Sequence, residues 1–123
     1  EAAKGSKHER PPRHVMIYAI SGPLFFGAAE KAMSTLREHS ADLKAVILDM
    51  RGVPTIDISG LVALESCLAS LFQKHIFVVL SAVQEQAYET LKRAGIEEKK
   101  DQLAICDNIK ESVKFLKKSI AGL

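Results

Sequence analysis

Apolar and polar residues alternate along the chain in blocks that predict β-strands separated by helices. Continuous apolar runs are typical of strands covered on both faces, and they predict strands at 15–20, 44–50, 76–80 and 103–106. A short additional β segment is predicted at 24–26, after the turn-forming residues Ser21, Gly22 and Pro23. The two segments around this break would form a bent strand or a tight hairpin.

Apolar residues at helical spacing predict the first two helices. One spans 28–39, and the next runs from Gly60 to about Lys74 with leucines repeating every three or four residues. Together with the strands on either side, the first helix gives a β–α–β unit. Gly60 is expected to allow close packing where its helix begins.

Capping residues place the last two helices. Ser81 and Gln84 have the spacing of a capping box, which would start a helix near Ala82, and Gly95 would end it in the left-handed conformation. Asn108 with Glu111 can cap a final helix. The predicted apolar stripe of that helix consists of Ile109, Val113, Leu116 and Ile120.

Composition indicates a single globular domain of the α/β class. The 123 residues are 47% hydrophobic and carry a net charge of +2, which suits one domain with a substantial core. No run reaches the roughly 18 uncharged apolar residues that a membrane helix needs, so the fragment is expected to be soluble. We predict a polar linker or tether at 1–14 and the folded domain at 15–123. Since Glu1 is not a methionine, we expect a piece of a longer protein.

The segment 46–64, VILDMRGVPTIDISGLVAL, carries the main candidate site. It predicts a strand followed by a helix that begins at Asp57-Ile58-Ser59-Gly60. Unpaired N–H groups and the helix dipole attract anions to such a helix start. Thr55, Asp57, Ser59 and Gly60 are therefore candidate residues for binding a ligand or partner. The alternative reading is structural: Asp57 is the N-cap, Ser59 a first-turn hydroxyl and Thr55 a residue that bonds its own backbone.

Basic residues of the last helix form a second candidate surface. Lys110, Lys114 and Lys117 recur at i, i+4 and i+7, and Lys118 adds to their charge. This is either an ordinary solvated face or a docking surface for an acidic cytosolic protein or anionic lipid headgroups. Nucleic acid is not an expected partner, because net charge is low and aromatic residues are 6%.

Metal binding and catalysis find little support in the sequence. The four histidines are scattered, and neither Cys67 nor Cys106 has a second ligand at metal-binding spacing. Both cysteines are expected to be reduced, buried thiols in preference to a disulfide. No GxxxxGK phosphate cradle occurs and Ser59 lacks a nucleophile elbow, so we expect no turnover, no metal and no cofactor beyond weak nucleotide binding.

Three motifs characterise the chain: GPLFFGAAEK at 22–31, VILDMRGVPTIDISGL at 46–61 and HIFVVLSAV at 75–83. Through them the chain resembles the STAS domain, a module of sulphate transporters and anti-sigma factor antagonists. The resemblance covers about 15–121. It implies a mixed central sheet flanked by about four helices, with the DISG loop at one end.

The residue after the loop aspartate distinguishes the branches of that family. In the antagonists this position is a phosphorylated serine, whereas this chain has Ile58. Together with the GPLFF segment, Ile58 points to the SulP transporter branch. The resemblance then implies a regulatory and protein-interaction domain of a secondary anion transporter for sulphate, bicarbonate or a carboxylate. Its partner would be the transmembrane part of the same protein, to which it is tethered on the cytoplasmic face of the membrane. A free-standing phospho-switch antagonist and a nucleotide-sensing domain remain alternatives.

Overall fold

Helices and strands alternate through a single domain in the computed structural model, which describes residues 12–24 and 26–123. The strands are β1 (Val15–Ser21), β2 (Ala45–Gly52), β3 (Phe77–Ser81) and β4 (Leu103–Cys106), and the helices are α1 (Phe26–Glu38), α2 (Ile58–Gln73), α3 (Glu85–Arg93) and α4 (Ile109–Ser119), with a 3₁₀ turn at Ser40–Asp42. The predicted α/β class is confirmed. Of the predicted linker, residues 1–11 lie outside the described part of the chain.

The four strands form one sheet in the order β1-β2-β3-β4, and every ladder between them is parallel. The resemblance implied a mixed sheet, and the described strands differ from it in this respect. The reason is connectivity: a helix between each pair of consecutive strands returns the chain to the same end of the sheet. Residues of α1, α2 and α3 pack in one cluster on the same face of the sheet, as three crossovers of the same hand in one direction require.

The core lies on both faces of this sheet and is thicker on one. Val46 and Leu48 of β2 pack in the large cluster with α1, α2 and α3. Their neighbours Ala45 and Ile47 face the other way, into a smaller cluster with Val113 and Leu116 of α4. Period-two alternation therefore buries both faces of β2, which explains its continuous apolar sequence. Among the described residues, no helix is long and apolar enough to span a membrane.

The segment after β1 differs from the predicted bent strand or hairpin. Gly22 takes a positive φ of 80°, and its N–H donates to the carbonyl of Gly52 at 2.8 Å. Leu24 then forms an isolated parallel bridge with Ile56, and α1 begins already at Phe26. The β propensity of this stretch yields one bridge because its backbone pairs with the loop after β2.

The capping box predicted at Ser81 and Gln84 is wrong. Ser81 is the last residue of β3, and its Oγ is buried without a hydrogen-bond partner in the described structure. Ala82 follows with a positive φ of 57°, so the chain turns before a helix can start. The Gln84 side chain instead donates to the carbonyl of Arg51 at 2.8 Å, and α3 begins at Glu85.

Two other predicted helix ends, at Gly95 and Asn108, are confirmed. Gly95 follows α3 with a φ of 82°, and the N–H of Ile96 reaches back to the carbonyl of Leu91 at 2.9 Å. Asn108 caps α4, because its side-chain oxygen accepts from the N–H of Glu111 at 2.8 Å. Both ends satisfy backbone groups that the helices leave unpaired.

Candidate functional site

The motifs at 22–31 and 46–61 meet in space through Leu24 and the loop after β2. Leu24, in the first motif, donates its N–H to the carbonyl of Thr55 at 2.9 Å, and its own carbonyl accepts from the N–H of Asp57 at 3.3 Å. The loop between β2 and α2 is therefore held against the chain entering α1. Sequence reasoning used the two motifs as separate marks of resemblance and did not anticipate this pairing.

Gly60 lies where the two segments come closest. A Cβ built on Gly60 would lie 2.8 Å from the carbonyl carbon of Leu24 and closer still to its oxygen. Real Cβ atoms do not approach backbone so closely. The predicted role of Gly60, close packing, is confirmed.

Asp57 is the N-cap of α2, as its structural reading predicted. Its Oδ1 accepts from the N–H of Gly60 at 2.7 Å and from the hydroxyl of Ser59 at 3.0 Å. The carboxylate thus satisfies one orphan N–H and complements the helix dipole. An anion arriving at this helix end would meet the negative charge of Asp57. Direct ligand contact by Thr55, Asp57 or Ser59 stays a prediction.

Two apolar side chains project into solvent at the start of α2. Ile58 is 80% exposed and Val62 is 58% exposed, and their i, i+4 spacing puts them on one side of the helix. Sequence reasoning considered Ile58 only for the hydroxyl it lacks and did not single out Val62. The available signal was their position off the leucine stripe that packs into the core.

A buried carboxylate lies beneath the loop. Asp49 of β2 is 4% exposed, and its two oxygens accept from the backbone N–H and from Nη2 of Arg51, each at 3.1 Å. Gln84 bonds the carbonyl of the same Arg51. The end of β2 is thereby tied to the β3–α3 connection. The pairing of Asp49 with Arg51 is local to β2, whereas the bond from Gln84 joins residues 33 positions apart and has no signal in local spacing.

The lysines of α4 separate into two groups. Lys114, Lys117 and Lys118 line an open groove of about 770 Å³ at the end of β4. Lys110 is exposed but does not line that groove. The predicted stripe is therefore divided, and a docking role for Lys110, Lys114, Lys117 and Lys118 stays a prediction.

The cysteines are poorly suited to nucleophilic chemistry. Both are free. Burial raises the pKa of the Cys67 thiol to about 11 and also raises the pKa of Cys106, so the reactive thiolate is scarce at neutral pH. Cys67 is buried as predicted, whereas Cys106 is only partly buried, because β4 is an edge strand. The described residues contain no group of three His, Cys, Asp or Glu side chains placed to hold a metal ion.

Comparison with known proteins adds to this geometry. The sequence model of the STAS domain matches residues 8–115. YvdB of Bacillus subtilis, named as a candidate sulfate transporter, is 33% identical over 74% of this chain and 17% of its own length. The bicarbonate transporter BicA of Synechocystis is 29% identical over 67% of this chain and 14% of its own. The chain thus spans less than a fifth of either relative.

Solved structures agree in fold. A sulfate transporter family protein from Wolinella succinogenes is 31% identical with a TM-score of 0.82, over 92% of this chain and 93% of that one. The STAS domain of a SulP transporter from Vibrio cholerae is 25% identical with a TM-score of 0.77, over 93% and 89%. The anti-sigma factor antagonist SpoIIAA, at 14% identity, shares the fold alone, with a TM-score of 0.64 over 91% and 96%.

Proposed function

The chain belongs to the STAS domain family, and from this membership we propose that it is the cytoplasmic regulatory and protein-interaction domain of a SulP-family secondary anion transporter. The observation that supports this most is its likeness to transporter relatives. It is 31% identical to the Wolinella succinogenes protein across nearly the whole of both chains. The transported anion would be sulfate, bicarbonate or a carboxylate.

The loop between β2 and α2, together with the first turns of α2, is the surface that we assign to partner contact. It combines the Asp57 cap with the exposed apolar side chains of Ile58 and Val62 on α2. Contiguous apolar exposure beside polar groups is characteristic of interaction sites. The loop is also rigidly supported, because Gly60 packs on Leu24. A partner would therefore meet a preformed surface and lose little entropy in ordering it.

In this proposal the domain regulates anion transport through its position and its contacts, and it catalyses no reaction. The domain would lie at the cytoplasmic face of the membrane, tethered to the transmembrane part of the same protein. Signals would change how the loop meets that part or a cytosolic protein. A phospho-switch antagonist is less well supported, because Ile58 offers no hydroxyl and the hydroxyl of Ser59 is bonded to Asp57. Weak nucleotide binding would require no dedicated cofactor site.

Fractionation of native cells tests this function. An antibody against the domain should detect a species much larger than 13.5 kDa in the membrane fraction, and deleting the domain should alter anion uptake. A cytosolic species near the mass of this chain would contradict the transporter role. Phosphate on Ser59 after incubation with an anti-sigma kinase would then favour the antagonist.

A further inference from the structure

An open groove runs along α4 from the end of β4. It has a volume of about 770 Å³, and Cys106 and Phe115 contribute to its walls. A second hollow of about 410 Å³ lies on the other side of Phe115 and is also lined by Phe77. Phe115 is 37% exposed and packs against Phe77 with ring centroids 5.8 Å apart. An anchored aromatic side chain between two hollows offers apolar contact at little entropic cost.

The outward-facing backbone groups of β4 are not open to pairing with a partner strand. The outward-facing N–H and carbonyl of Leu103 are both bonded to Lys99 at 2.9 Å, and the N–H of Ile105 donates to Oε2 of Glu98 at 3.0 Å. These contacts occupy donors that an added strand would need. Recognition in the groove must therefore come from side chains.

The charges along the groove are arranged by sign. Asp107 and Glu111 lie toward the start of α4, and the lysines lie toward its end. Lys114 is 4.0 Å from Glu111, a distance at which an exposed pair contributes little. Lys117 and Lys118 have no ion pair within the described part of the chain, so their charge is available to a partner.

We propose that this groove binds an acidic protein segment carrying an apolar side chain. The apolar side chain packs beside Phe115, and the carboxylates meet Lys117 and Lys118. Anionic lipid is a poorer fit, because a negative membrane surface would also cover Asp107 and Glu111, whereas a peptide segment can place its carboxylates at the lysine end alone. This inference does not rest on the transporter role, because binding in the groove can be measured on the 123-residue chain alone.

The test uses the 123-residue chain and short fluorescein-labelled peptides rich in aspartate and glutamate around one central leucine. Fluorescence anisotropy gives affinity, and amide chemical shifts locate the binding surface. Binding should perturb residues 105–118 and weaken about tenfold in Lys117→Ala/Lys118→Ala. The matched control, Lys92→Ala/Arg93→Ala, removes the same charge from the end of α3 and should stay within about twofold. A serine in place of the central leucine should also weaken binding.

Four results would overturn the inference. Equal weakening by both double variants would reduce the effect to net charge. Shifts outside the groove, or no binding at all, would remove the site. Vesicles of phosphatidylserine and phosphatidylcholine that bind through Lys117 and Lys118, when the acidic peptide does not, would assign these lysines to a membrane surface.

Discussion

The α carbon of Gly60 lies against the backbone carbonyl of Leu24, with no room for a Cβ between them. This contact joins the first turn of α2 to the segment that leads into α1. Two backbone hydrogen bonds of Leu24, to Thr55 and to Asp57, hold the β2–α2 loop at the same place. The loop and the helix entry thus form one unit.

Replacing Gly60 with alanine should destabilise the fold. A Cβ would have to push the carbonyl of Leu24 away, and such overpacking costs about 1–3 kcal/mol. Gly27→Ala is the matched control, because Gly27 also lies in a helix but a Cβ there meets nothing within 4 Å. Urea unfolding should show a loss for Gly60→Ala and no loss, or a small gain, for Gly27→Ala. Similar stability of the two variants would contradict the contact.

Removing the cap of α2 should have a smaller effect. Asp57→Ala leaves the N–H of Gly60 without its acceptor and should cost about 1 kcal/mol. Asp57→Asn should retain most of that stability, since asparagine caps about as well. Ser59→Ala should change the free energy of unfolding by less than about 0.5 kcal/mol, because the hydroxyl is exposed. An equal loss in Asp57→Ala and Ser59→Ala would place the stabilisation outside the cap.

Arg51→Ala should destabilise the domain although Arg51 is largely exposed. Its removal leaves one oxygen of the buried Asp49 without a donor, a loss of about 1–2 kcal/mol. Arg93→Ala, at an exposed position of α3, is the control. The double variant Asp49→Asn/Arg51→Ala should be less destabilised than the two single losses added together. Additive losses in chemical denaturation would show that the two residues do not interact.

Stability should fall at alkaline pH because of Cys67. Burial raises the pKa of this thiol from about 9 to about 11. Between those values the unfolded state has lost the proton and the folded state keeps it, so stability declines as pH rises and is unaffected below about 9. The full effect is about 2–3 kcal/mol.

The comparison of wild type with Cys67→Ala isolates this contribution. The stability difference between the two proteins, measured by denaturation at several pH values, should be constant up to about pH 8 and then shift in favour of the variant. A difference that stays constant to about pH 10.5 would mean that the thiol titrates alike in both states.

Glu98→Ala should open the edge of β4. The N–H of Ile105 then loses its acceptor, and hydrogen exchange at that amide should accelerate at least about tenfold. Glu98→Gln retains an acceptor and should protect the amide. Sedimentation of Glu98→Ala at high concentration should also show self-association, which exposed edges favour. Unchanged exchange would mean that Glu98 does not protect the edge.

Elements that depend on local pattern could be predicted from sequence. β4 lies at 103–106 as predicted, and the caps by Asp57 and Asn108 follow from side chains that reach their own backbone. The prediction of a helix start near Ala82 was wrong, because the Gln84 side chain donates a hydrogen bond to the carbonyl of Arg51, which is 33 residues away. Local spacing carries no information about such a partner.

The same distinction applies to the candidate site: its local features could be predicted from sequence, and its contacts between distant residues could not. The sequence of the loop was enough to predict Asp57 as an N-cap and Gly60 as a site of close packing. The contact of Gly60 with Leu24, however, exists only once α1 has brought two distant segments together. The grouping of Lys114 with Lys117 and Lys118, and the separation of Lys110, depend on where β4 ends beside α4. Helical spacing alone placed all four in one set.

The strand order β1-β2-β3-β4 also bears on how the domain is made. Each strand pairs with the one synthesised just before it, so the sheet can grow from one edge as the chain leaves the ribosome. Each step closes one β–α–β crossover, and none requires a contact between strands further apart in the sequence. Completion, however, waits for α4, which alone among the described helices covers the second face of the sheet. A chain that stopped before Ile109 would expose the apolar side chains of that face, so the last helix is the point at which quality control can tell a finished domain from an interrupted one.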